Sequence, residues 1–134
     1  METAAKILIV GGVLNLTYGF LTGFFMGVIR QQQPAVPKYL TLAHTGPLMQ
    51  GPMLLSLVFA LELSPLTPTV ETAAALLLVV GSVALAAKDT LNWRQDVHDE
   101  FQERPKMAMI LGGLSVITST VGLIIVILGV VQGL

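Results

Sequence analysis

One histidine stands apart from the rest of the chain. His44 lies in Tyr39-Leu40-Thr41-Leu42-Ala43-His44-Thr45-Gly46-Pro47-Leu48-Met49-Gln50-Gly51-Pro52, a stretch without charge that continues apolar to Leu61. An ionisable side chain inside an apolar span is costly and is a functional candidate by default. A neutral imidazole there can be a hydrogen-bonded packing residue, a proton relay or a metal ligand. The same stretch carries two prolines. Pro47 removes the partner of the Ala43 carbonyl and Pro52 that of Leu48. In a bilayer such freed groups persist only where protein, water or a ligand satisfies them. At about 100° per residue, His44, Pro47, Leu48, Gly51 and Leu55 share one face, and Gln50 lies roughly 120° away.

The donor set limits the metal chemistry. Zinc asks for three or four side-chain ligands. The chain has no cysteine, and its second histidine, His98, sits between Asp96 and Asp99 in a charged stretch that reads as solvated. Haem asks for less, because the porphyrin supplies four nitrogens and one axial histidine suffices. His44 lies roughly 9 Å along a helix from Lys38, which would leave haem propionates near Arg30, Lys38, Lys88 or Arg94. The methionines read as packing or lipid-facing, with Met49 and Met53 within reach of such a group. No phosphate-binding glycine motif, nucleophile elbow or buried carboxylate pair is present, which leaves a hydrolase, kinase or dehydrogenase without support.

The elements that must position these residues are four apolar segments, at about 7–29, 39–61, 72–93 and 107–131. A span needs about 20 apolar residues, which the first, second and fourth meet; the third reaches it through Lys88 toward Trp93. Charged residues are 11 % of the 134-residue chain, against about 25 % for soluble domains. That excludes an ordinary soluble globule. With 7 basic and 8 acidic residues, no basic stripe for nucleic acid is available either. The expectation is one all-α domain, an integral membrane bundle of four transmembrane helices with helix two broken by its prolines. The first segment is too long for a signal-peptide core and reads as a retained helix.

Prolines in 30–38 and 64–69 mark two short connections, with Thr69 or Thr72 as caps of helix three. The third, 88–106, is the polar one, and 93–101 within it reads as a short amphipathic surface helix. Arg30, Lys38, Lys88, Arg94, Arg104 and Lys106 lie on one side and Lys6 on the other. The first and third connections are therefore expected in the cytoplasm and both termini outside. Small residues mark helix contacts in lipid. Gly11, Asn15, Gly19, Gly23 and Gly27 form one such stripe, Gly112, Ser115, Ser119 and Gly122 another, and Gly81 and Ser82 lie in helix three. The first stripe suits either close helix packing or a flat ligand.

The run Ala43-His44-Thr45-Gly46-Pro47-Leu48-Met49-Gln50-Gly51 resembles helix two of the styrene oxide isomerase family. Its members read Ala-His-Ser-Gly-Pro, two small or apolar residues, then Asn-Gly. Chain length and the four-span layout agree, as does, more loosely, Gly81-Ser82. The resemblance implies a small membrane homotrimer with one haem b per chain at subunit interfaces. It makes His44 the axial ligand and Gln50, one methylene longer than the family's asparagine, the substrate-side amide. The reaction it implies is Lewis-acid isomerisation of a small apolar epoxide to an aldehyde. The family's helix-three aspartate and tyrosine have no aligned counterparts here. Asp89 and Asn92 lie nearby and are the tentative substitutes, and the only tyrosines, Tyr18 and Tyr39, fall in helices one and two. The alternative is a non-catalytic membrane subunit or assembly factor of a larger complex, its small-residue stripes serving as docking faces and His44 as packing. A small transporter using His44 as a proton relay ranks third, for want of an acidic partner.

Overall fold

The computed structural model describes residues 2–134. They form five helices: α1 (Thr3–Gln32), α2 (Lys38–Glu62), α3 (Pro68–Arg94), α4 (Glu100–Glu103) and α5 (Lys106–Gly133). No strand occurs among the described residues. The four long helices cover the four apolar segments, each extended by a few residues at its ends. α1, α3 and α5 are long and apolar enough to cross a membrane. α2 has 25 residues, about 37 Å at 1.5 Å per residue. Its prolines, threonines, His44 and Gln50 dilute its hydropathy, so the four-span expectation is met by three helices on composition and by α2 on length alone.

Helix two is not broken. α2 runs through Pro47 and Pro52 as continuous α-helix, because each proline removes one hydrogen bond while the neighbouring helices hold the rod in place. The caps also differ from expectation. α3 starts from Thr67 with Pro68 in its first turn, a position where the missing N–H is not needed and φ is already helical. In the third connection Trp93 belongs to α3, and Asp96 turns the chain with a left-handed φ of 54°. The surface helix shrinks to the single turn of α4. The Asp99 carboxylate accepts from the Phe101 N–H at 2.9 Å, and Arg104 at φ 50° closes the turn before Pro105.

The long helices pair as two antiparallel hairpins, α1 with α2 and α3 with α5, and α3 also packs on α1 and α2. Without a hydrophobic force between helices in lipid, close backbone approach has to hold them. α1 and α2 cross at Gly12 and Gly51. A Cβ on either would stand 3.0 Å from the other's carbonyl oxygen. On α5, Gly122 is covered by Leu78, and Ser119 and Thr118 fill the notch left by Gly81. The stripe on α5 is thus spent inside the chain, against α3. The largest apolar cluster, with Leu8, Leu54, Leu78 and Val126, lies at the end that holds both termini. A polar cluster around Lys88, Asn92 and Glu100 lies at the other end.

Two outcomes follow from this packing. Gly51→Ala should destabilise the protein by about 1–3 kcal/mol through overpacking, whereas Gly46→Ala, with nothing within 4 Å of the added carbon, should be neutral or stabilising by up to about 1 kcal/mol. Thermal unfolding in detergent measures both, and equal effects would contradict the crossing point. The Glu103 carboxylate accepts the His98 and Asp99 N–H groups, each at 2.7 Å. These donors hold it below the usual glutamate range. A lowered folded value means the latch is present above the ordinary range and lost as pH falls through the depressed one. The two amides should lose hydrogen-exchange protection on strong acidification, and Glu103→Gln should remove that dependence.

Candidate functional site

The seam between α1 and α2 is built glycine by glycine. Leu55 sits over Gly12, Leu48 over Gly19 and the His44 ring over Gly23, where an added Cβ would lie 2.7 Å from the imidazole Cε1. One turn further, Gly27 faces open space. The stripe on α1 is therefore helix packing up to His44 and an opening beyond it. Phe20, Phe24 and Gly27 on α1 and Thr45 and Met49 on α2 are all exposed. Met53 instead packs against the apolar cluster.

Pro47 shapes the turn that carries His44. The carbonyl of Ala43, which Pro47 leaves without its helical partner, is met by the Thr22 hydroxyl at 3.3 Å. That hydroxyl is shared with the carbonyls of Tyr18 and Gly19 at 3.0 and 2.9 Å. His44 itself is half-buried, and its Nδ1 lies 2.7 Å from the Gly19 carbonyl oxygen. A carbonyl can only accept, so Nδ1 carries the proton and donates. In the neutral ring Nε2 then holds a lone pair, and no hydrogen bond reaches it among the described residues. A backbone carbonyl on one ring nitrogen is the usual way a metal-binding histidine is fixed in tautomer and orientation.

The other expected site residues do not join His44. Because α2 is regular, Gln50 stays roughly 120° around the helix from it, and the Gln50 Oε1 is buried without a hydrogen-bond partner. Asp89 and Asn92 are buried in a separate polar cluster at the end of the bundle that holds α4. There Lys88 Nζ reaches Asp89 at 3.3 Å and Glu100 at 3.0 Å, and Asn92 Nδ2 donates to the second Glu100 oxygen at 2.8 Å. The Glu100 N–H donates to the Tyr39 hydroxyl at 2.9 Å. Glu100 and Tyr39 were not singled out in the sequence. The signal for Glu100 was Lys88, an ammonium at the end of an apolar helix that needs a counter-charge. This cluster ties the α3–α5 connection to the start of α2. Asp89 Oδ1 has the Lys88 ion pair but no hydrogen bond, and Asn92 Oδ1 has no hydrogen-bond partner.

Between α1 and α3, Asn15 Nδ2 donates to the Gly11 carbonyl at 2.8 Å and to Ser82 Oγ at 3.0 Å. Nearer α4, the Tyr18 hydroxyl is hydrogen-bonded to Thr90 Oγ1. Among the described residues no three His, Asp or Glu side chains converge, so His44 offers one ligand, the number a porphyrin iron needs. No protein-family model, curated protein or solved structure matches the chain.

Thr22→Val keeps the side-chain shape and removes the hydroxyl that α1 offers the Ala43 carbonyl. It should cost about 1–3 kcal/mol, the penalty of an orphaned buried acceptor, measured by unfolding in detergent. No loss would mean that this carbonyl is satisfied in another way.

Proposed function

We propose that the chain is a haem b-binding membrane protein with four spans, in which His44 is the axial ligand through Nε2. The observation that carries this reading is the Nδ1 hydrogen bond to the Gly19 carbonyl. It presents the lone pair of Nε2 beside the open end of a glycine seam. The antiparallel pairing of α2 with α1, from Gly12 against Gly51 to Gly23 against His44, supports α2 as the fourth span. The charge bias places the first and third connections in the cytoplasm. The exposed apolar side next to the ring is where a second copy of the chain would close the site, and the resemblance to styrene oxide isomerases gives a homotrimer.

When bound through one protein ligand, haem supplies an open coordination position and Lewis-acid chemistry, which the resemblance directs at a small apolar epoxide. The chain's own residues hold the imidazole in one tautomer and space the helices by glycine. A second reading, a non-catalytic haem subunit, is favoured by one observation. Gln50, Asp89 and Asn92, the residues the resemblance directs at the substrate, lie on another face of α2 or inside the α4 cluster.

Protein purified in mild detergent should show a Soret band, lost in His44→Ala and shifted or weakened in Gly23→Ala, whose methyl group would displace the ring. A preparation that stays colourless after haem addition, or a band that survives His44→Ala in a folded protein, overturns the reading.

A further inference from the structure

A second opening lies on the other side of α1, away from His44. It is a groove of about 520 Å³ between α1 and α3, walled by Leu14, Val83, Ala86, Ala87 and Leu91. From Val83 to Arg94 it follows α3 for about 16 Å. Three further polar side chains, Asn15, Tyr18 and Thr90, border it, and their donors are already used within the protein. Asn15 donates to Gly11 and Ser82. Thr90 donates to the Ala86 carbonyl at 2.7 Å, which makes the Tyr18 hydroxyl the donor in their mutual bond. The walls therefore present no free donor to an occupant and are mainly apolar.

Arg94 closes one end and differs from the basic residues at this end of α1, α2 and α3. Lys88 is paired with Asp89 and Glu100, the Arg30 guanidinium donates to the Pro34 carbonyl, and Lys38 lies over the Tyr39 ring. Arg94 is exposed, and no ion pair or hydrogen bond reaches it among the described residues. Its neighbour Trp93 packs on Phe25 with ring centroids 6.4 Å apart. Tryptophan marks the headgroup level of a bilayer, so the guanidinium stands at the depth of lipid phosphates. An arginine fork matches two phosphate oxygens.

We propose that this groove is a binding site for one anionic phospholipid, its acyl chain along α3 between Leu14 and Ala87 and its phosphate on Arg94. The groove does not include His44.

Native mass spectrometry of the delipidated full chain, titrated with phosphatidylglycerol or phosphatidylcholine, tests it. One phosphatidylglycerol per chain should bind about five-fold more tightly than phosphatidylcholine, the advantage of one basic residue for an anionic lipid. Arg94→Gln, at an exposed position, should erase that preference while leaving weak binding of both lipids. Ala87→Phe should fill the groove and remove both adducts, with circular dichroism confirming its helix content. Equal affinity of the wild type for the two lipids, or a preference that survives Arg94→Gln, overturns the assignment. So does an oligomer that dissociates in Ala87→Phe, since a second copy of the chain would then occupy the groove.

Discussion

The arrangement rests on a requirement of lipid surroundings, that every buried backbone carbonyl have a donor. Pro47 denies the Ala43 carbonyl its own helical N–H, and α1 answers with the Thr22 hydroxyl. For that hydroxyl to reach, the two helices must nearly touch, and they touch because Gly12, Gly19 and Gly51 carry no side chains at the crossing. The same proximity lets the Gly19 carbonyl capture Nδ1 of His44. The glycines thus set the helix spacing, and that spacing serves both the carbonyl that Pro47 frees and the orientation and tautomer of the histidine.

Much of this could be read from residue spacing. The helical class and the four long segments follow from apolar runs, and the glycine stripe on α1 and the small-residue stripe on α5 emerge as contact faces. The prolines announced that a donor had to come from elsewhere. What spacing could not supply was the donor, since Thr22 becomes relevant only when α1 lies antiparallel to α2. Nor could it show that α2 continues through its prolines, which depends on the support of neighbours rather than on local preference. The surface helix was misplaced because Asp96 adopts a left-handed conformation, which aspartate tolerates but does not advertise.

The polar cluster was the least legible region. Asp89 and Asn92 stand close in sequence to where the resemblance expects helix-three site residues, yet their partners are Lys88 and Glu100. Glu100 lies eight residues beyond Asn92, on a one-turn helix placed by Asp99 and ended by Arg104. No periodicity connects the two. Burial of Lys88 in an apolar wall demands a counter-ion, and the fold delivers it from the following connection.

The division into two hairpins bears on how the chain is made. The contacts of the α1–α2 seam join residues only a few tens apart in sequence, and the α3–α5 seam is similarly local. Contacts of short sequence separation form quickly. Each pair is closed by its own small-residue notch, so the first can be complete while the second is still leaving the ribosome. The histidine seam would then be finished before the α4 clasp exists, and the clasp, by joining Glu100 to Tyr39, would record the arrival of the second pair beside the first.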